Sequence, residues 1–268
     1  MASFLQARAK QGKWLLRIDD LDTFRNVSGA AESIIETLQA YGLHWDDAIF
    51  YQSEHLENYH AIIKQLLEQK SVYPCVCSRK SLSGFSVYPA YCLNRQVDPN
   101  LPYALRIKVA DIELAFTDEM QGQQIYSLHQ QHGDFIVKRK DNIFAYQLAV
   151  VIDDYQQNIN HVVRGFDLLQ STPKQLFLQQ VLGYPSPVYC HVPMIVDQFG
   201  NKLSKQTFAQ AISSKNPEKT LFLLLNLLKQ NPPANLKTTS VHNIMQWAIA
   251  NWHPQALKKI RAINRGIY

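Results

Sequence analysis

His191-Val192-Pro193-Met194-Ile195-Val196 is an apolar run that leads through the turn Asp197-Gln198-Phe199-Gly200 into Lys202-Leu203-Ser204-Lys205-Gln206. The run reads as a strand, and the glycine marks the turn after it. Two lysines three positions apart, bracketing a serine on a loop, can reach around a triphosphate and neutralise charge as it develops. A Lys-x-Ser-Lys tetrapeptide by itself is most often a solvated surface loop. The strand and glycine turn that precede it weigh against that default.

Outward from this loop, strands and helices alternate on both sides of one interruption. Residues 2–12 read as a helix and Trp14-Leu15-Leu16-Arg17-Ile18 as a buried strand. Ser28 can cap the next helix, where Ala31, Ile34, Ile35, Leu38 and Tyr41 form one apolar face. A short strand near Phe50-Tyr51 precedes a second amphipathic helix with Tyr59, Ile62, Ile63, Leu66 and Leu67 inward. Such alternation indicates an α/β fold, a parallel sheet with crossover helices.

From Tyr73 to about Arg139 the pattern changes. Short alternating segments, Tyr103–Lys108 and Asp134–Lys138, predict a small α+β insertion. Strand and helix alternate again from Phe144. After Lys205 helices dominate, over Leu221–Leu228 and roughly Val241–Ala250, with Asn231-Pro232-Pro233 as the break between them. The expected division is 1–72 and 141–206 as two parts of one α/β domain, 73–140 as an inserted module, and 207–268 as a helical C-terminal region.

A chain of 268 residues with 46% hydrophobic content can bury one large core or a core plus a small module. The apolar stretch Leu221–Leu228 is too short for a membrane span and carries Asn226. Arg8, Lys10 and Lys13 interrupt any signal-peptide pattern. A cytoplasmic protein with no membrane partner is the expectation. The net charge of +5 is unevenly placed, with eight Lys or Arg in residues 215–268 against Glu218 alone. A basic tail suits an anionic partner such as RNA, and a solvated helical face gives the same count.

Four groups of residues carry candidate chemistry. Cys75-Val76-Cys77 is followed by Cys92, and no histidine lies between His60 and His129. Free thiols would suit a reduced cytosol, but three thiolates in a Pro- and Gly-punctuated loop are better explained by zinc. The fourth ligand is then an oxygen, with Tyr88, Tyr91 and Asp98 as the local candidates, while Cys190 reads as a core or strand thiol. Arg17-Ile18-Asp19-Asp20-Leu21-Asp22 is an acid-rich strand terminus, where open parallel sheets bind ligands. Arg164 follows a Val-Val strand segment and offers a planar fork for a carboxylate, or a surface bridge to Asp167. Tyr146 is by base rate a core aromatic.

Several of these segments resemble, in order, the landmarks of one family. Arg17–Asp22, Tyr41-Gly42-Leu43-His44-Trp45-Asp46, Tyr51-Gln52-Ser53, Phe144–Ala149, Val163–Leu169 with Thr172-Pro173-Lys174-Gln175, and Lys202–Gln206 are similar to the glutamyl branch of class I aminoacyl-tRNA synthetases. Within that branch the chain looks most like the short paralogues that modify tRNA. Residues 207–268 are too few for a full anticodon-binding domain, and Gln206 stands where the longer enzymes more usually carry Arg.

The resemblance implies a Rossmann-like catalytic domain with a small zinc-containing insertion, and a ligase that activates glutamate with ATP, with Mg2+. Glutamate would then pass to queuosine in the anticodon of tRNA(Asp). It implies that Asp19, Tyr146 and Arg164 hold glutamate, Asp19 being one methylene shorter than the family's Glu. Lys202 and Lys205 would act in catalysis, with Lys205 on ATP. Cys75, Cys77, Tyr88 and Cys92 would bind one structural zinc ion, Tyr88 matching the family's Tyr-x-x-x-Cys spacing. A monomer is expected. The alternatives are a fragment of a standard glutamyl-tRNA synthetase and a non-catalytic tRNA-binding relative.

The family's first strand and its His-containing turn have no counterpart, since Met1–Arg8 aligns with the middle of the helix that follows them. The expectation is a truncated gene model or an internal Met taken as the start, with activity in doubt if the chain does begin at Met1.

Overall fold

The computed structural model describes residues 1–202, 212 and 214–264. Helix α1 (Ala2–Ala9) ends earlier than the apolar pattern predicts, because Gln11 turns the chain at φ 55°. The expected strand Trp14–Ile18 is a ladder only over β1 (Arg17–Ile18), paired in parallel with β2 (Phe50–Tyr51). Trp14 instead gives both backbone groups to Asp46: its N–H donates to the carboxylate at 2.8 Å, and its carbonyl accepts from the Asp46 N–H. Helix α2 (Ala30–Ala40) starts after Gly29 at φ 77°, so Ser28 does not cap it, and Ile34 is exposed. Helix α3 (Leu56–Glu68) buries Tyr59, Ile63 and Leu66, while Leu67 faces outward.

The stretch expected as an insertion holds β3 (Val72–Cys75, which begins one residue before it), β4 (Ala104–Ile107), the hairpin β5 (Glu113–Asp118) and β6 (Gly122–Ser127), the short α4 (Leu128–Gln131) and β7 (Phe135–Lys138). Strands β3, β4 and β7 form one antiparallel sheet. The hairpin is additional to the predicted segments.

The chain continues through α5 (Tyr146–Gln156), β8 (His161–Gly165), α6 (Thr172–Leu182), β9 (Val188–Val192) and β10 (Met194–Val196). Helices α7 (Pro217–Leu227) and α8 (Val241–Ala250) follow, then β11 (Ala262–Asn264). Strands β8 and β9 are parallel, as are β10 and β11. The parallel pairing is therefore divided. Among the described residues no ladder joins β1 to β8, and a cavity of about 940 Å³ lies between them.

One core runs from α3 through α5 and α6 into the insertion, with Tyr59, Leu66, Ile107, Leu128, Leu148, Ile152 and Leu178 fully buried. Each such side chain contributes roughly 2 kcal/mol of transfer free energy. A second core packs α1 against α7 and α8 through Leu5, Leu221, Leu225 and Ile244. The first and last helical segments are thus neighbours. No described helix is long and apolar enough to cross a membrane.

Candidate active site

The cavity between β1 and β8 is lined by Arg17, Tyr146, Asp154, Arg164, Lys10 and His161 among others. Arg164 leaves β8 near its carboxyl end, and its guanidinium is held on two sides. Its Nε–H donates to His191 Nε2 at 3.0 Å, and an Nη2–H donates to Thr172 Oγ1 at 2.9 Å. The guanidinium also lies 5.3 Å over the Tyr189 ring.

Behind Arg164 stands a buried pair. His191 Nδ1 is 2.6 Å from Asp118 Oδ2, and both side chains are wholly buried. Because Nε2 accepts from the permanently charged arginine, Nδ1 carries the proton and donates it to Asp118. Burial works to raise the Asp118 pKa. Hydrogen bonds from His191 and from the Gln121 backbone N–H outweigh it and hold the carboxyl below its ordinary value. Asp118 ends a strand of the insertion, so the insertion reaches the arginine of β8 through one imidazole. Sequence reading missed Asp118, His191 and Thr172 as members of the site.

Arg17, at the end of β1, joins three acids. It lies 2.9 Å from Asp19 Oδ1, 2.8 Å from Asp154 Oδ1 and 3.8 Å from Asp153 Oδ2. Burial opposes the Arg17 charge, but Asp154 and Asp19 outweigh it and raise the pKa. Asp153 accepts from Gln52 and Tyr59 at 2.6 and 2.7 Å, yet burial still pushes its carboxyl up, as it does that of Asp154. Asp20 accepts from both the N–H and hydroxyl of Ser53, and Asp22 pairs with Arg139 at 2.9 Å. These acids tie the β1 terminus to the loops around it.

Of the predicted substrate-binding residues, Tyr146 and Arg164 line the cavity, with Tyr146 at the start of α5 and 41% exposed. Asp19 is joined to it through Arg17. Lys202 forms an ion pair with Asp167, three residues beyond Arg164. Lys205 lies outside the described residues. The surface bridge considered for Arg164 and Asp167 is replaced by this lysine contact.

The cysteine cluster is a separate centre in the insertion. The Sγ atoms of Cys75, Cys77 and Cys92 lie within 4.8 Å of one another, Cys77 and Cys92 being 3.5 Å apart. The Tyr88 hydroxyl sits 3.3 Å from Cys75 and 3.8 Å from Cys77, and accepts the Cys92 backbone N–H. A tetrahedral zinc with Zn–S bonds of about 2.3 Å sets its sulfurs roughly 3.8 Å apart. The donor set fits such an ion, with Tyr88 supplying the oxygen. Arg106 donates to Cys75 Sγ at 3.2 Å and stacks 3.7 Å over the Tyr88 ring. Burial opposes charge on Cys75, but hydrogen bonds from Tyr88 and Arg106 prevail and bring the thiol down to about 7.

The profile described as tRNA synthetases class I (E and Q), catalytic domain, matches residues 1–85 and 93–230. A glutamyl-Q tRNA(Asp) synthetase of Ectopseudomonas mendocina is 41% identical over 264 residues, 98% of this chain and 90% of the relative. The protein of that name from Pseudomonas aeruginosa is 43% identical over 253 residues, 94% of this chain and 86% of the relative. Among solved structures, a glutamate tRNA ligase from Elizabethkingia meningosepticum in complex with its amino acid superimposes with a TM-score of 0.78 at 22% identity. That likeness covers 98% of this chain and 62% of the ligase, and it establishes the fold.

Proposed function

The chain belongs to the class I tRNA synthetase family of the E and Q type, and we propose that it activates glutamate with ATP and transfers it to queuosine in the anticodon of tRNA(Asp). In the first step a carboxylate oxygen of glutamate attacks the α-phosphorus of ATP in line. The bond to the bridging oxygen breaks and pyrophosphate leaves. A hydroxyl of the modified base then attacks the acyl carbon and AMP departs. The protein's share is positioning and charge stabilisation.

The observation that carries this reading is Arg164 at the cavity wall, braced by His191 and Thr172. A planar guanidinium fixed along one edge presents its remaining N–H edge to a carboxylate with little rotamer entropy left to lose. Tyr146 adds a phenol to the same wall, and Asp19 offers an acceptor for an ammonium. Lys202 and Lys205 would hold the phosphates, Lys202 leaving Asp167 to do so. Cys75, Cys77, Cys92 and Tyr88 would hold one zinc ion that fixes the insertion and takes no part in bond making. The acceptor named for the relatives, tRNA(Asp), suits the basic residues of 215–268.

Glutamate-dependent exchange of labelled pyrophosphate into ATP tests the first step, on residues 1–268 and on the chain extended by its upstream in-frame codons. Transfer of labelled glutamate to tRNA(Asp) with and without queuosine tests the second. Exchange in neither form would overturn activation. Glutamate on a tRNA 3′ end, stable against loss of queuosine, would overturn the acceptor.

A further inference from the structure

The β5–β6 turn, β8 and β9 meet at a second cluster of donor atoms, formed by elements other than those of the three-cysteine centre. Glu119, His161 and Cys190 bring a carboxylate oxygen, an imidazole nitrogen and a sulfur to within 4.8 Å of one another. The placement follows from backbone register. Cys190 pairs with Val163 across the β8–β9 ladder, and His161 lies two residues before Val163. Side chains two apart on a strand share a face, so His161 and Cys190 stand side by side. Glu119 is brought over that face by its own N–H, which donates to the Tyr189 carbonyl at 2.9 Å. On its other side the turn is pinned by Lys259, whose N–H donates to the Met120 carbonyl at 2.8 Å.

The polar atoms of this cluster are incompletely matched. His161 Nε2 and Glu119 Oε2 are 2.9 Å apart, yet Nε2 is a buried atom with no aligned hydrogen-bond partner. The Cys190 thiol beside them is 1% exposed. Lys10 reaches only the other carboxylate oxygen, Oε1, at 3.3 Å, and its side chain is 55% exposed. Lys10 and His161 also line the 940 Å³ cavity, which gives a path from solvent.

We propose that Glu119, His161 and Cys190 form a binding site for a divalent cation of the zinc class, with its fourth position open toward the cavity. Thiolate, imidazole and carboxylate together select zinc or a similar borderline-soft ion over magnesium or calcium, which take oxygen ligands. Donors around tetrahedral zinc lie roughly 3.3–3.8 Å apart; His161 Nε2 and Glu119 Oε2, now 2.9 Å apart, would part slightly on binding, and no pair of the three donors stands beyond 4.8 Å. Lys10 keeps Oε1 and orients the carboxylate, as partners behind a ligand do in metal sites. The inference is independent of the proposed catalysis and of the three-cysteine centre.

The unaltered chain, crystallised with zinc chloride, is examined by anomalous scattering at the zinc edge. A peak between His161 and Cys190, apart from any at Cys77, is expected; its absence overturns the site. In solution, zinc bound per chain is measured by elemental mass spectrometry for the parent, Cys190→Ser, His161→Gln and Glu119→Gln. Each variant should retain about one equivalent less than the parent. Cobalt titration should lose part of its thiolate-to-metal absorption in Cys190→Ser. Glu119→Gln alters a half-exposed turn, so its fold is checked by thermal melting. Unchanged zinc content in all three folded variants overturns the proposal.

Discussion

Arg164 and His191 meet edge on, Nε to Nε2 at 3.0 Å, and this contact fixes both the arginine's direction and the histidine's tautomer. The imidazole cannot serve Arg164 as acceptor unless its other nitrogen donates, and Asp118 is there to receive. An arginine on one strand is thereby oriented by a carboxylate on a distant hairpin.

Arg164→Lys should raise KM for glutamate by roughly tenfold or more with a smaller change in kcat, because a lysine keeps the charge and loses both the fork and the His191 contact. The check is exchange kinetics alongside a circular-dichroism spectrum unchanged from the parent.

His191→Ala removes a buried donor from Asp118 and should cost about 3 kcal/mol in urea unfolding. In the parent, the depressed Asp118 pKa contributes stability that is present above the unfolded value near 4 and lost as pH falls through the lower folded value. Melting temperatures of the parent should therefore decline over that acid range, and more steeply than those of His191→Ala.

Arg17→Ala leaves Asp153 and Asp154 buried without their cation and should destabilise by about 3 kcal/mol at pH 7. Their folded pKa values are raised, so the folded state holds protons more tightly than the unfolded one. Stability from that source is present at low pH and lost as pH rises. The deficit of Arg17→Ala against the parent should be smaller at pH 5 than at pH 7, measured by denaturant titration at both.

Gly133 sits at φ 59°, where a β-carbon would stand 2.8 Å from Val87 and 3.0 Å from the Tyr88 carbonyl. Gly133→Ala should cost more than about 1 kcal/mol and displace Tyr88 from the sulfurs. Zinc retention during dialysis against a chelator should fall in the variant; equal retention would argue against Tyr88 as a ligand.

Chelation of the zinc proposed for Cys75, Cys77 and Cys92 should lower the melting temperature and open residues 76–102 to protease. Those residues are largely loop, held by few backbone hydrogen bonds. Limited proteolysis with and without chelator, read by mass spectrometry, provides the measurement.

The legible parts of this chain were those with local signals. The Cys-x-Cys pair and Cys92 stand together in space because a short loop joins them, and the period of α3 marked Tyr59, Ile63 and Leu66 as inward. Arg164 and Tyr146 could be singled out from strand-end and motif position. What stayed hidden depends on long-range pairing. Asp118 and His191 are 73 residues apart, and Asp118 is a carboxylate on the inward positions of its strand, where Leu114 and Phe116 lead one to expect an apolar side chain. Trp14–Leu16 has the composition of a strand, but its backbone partners are the loop at Asp46 and Phe50, the first residue of β2. Ile34 obeys the helical period and is still exposed, since periodicity names a face and not what covers it. Lys205 lies outside the described residues.

The strand that ends in Asp118 makes the insertion a poor candidate for exchange. A chimera that swapped residues 73–140 for the equivalent stretch of another scaffold would import its own cysteines intact and still orphan the imidazole beneath Arg164. A replacement at Asp118 should therefore call for a matching one at His191, since either partner left alone is a buried polar group without its match.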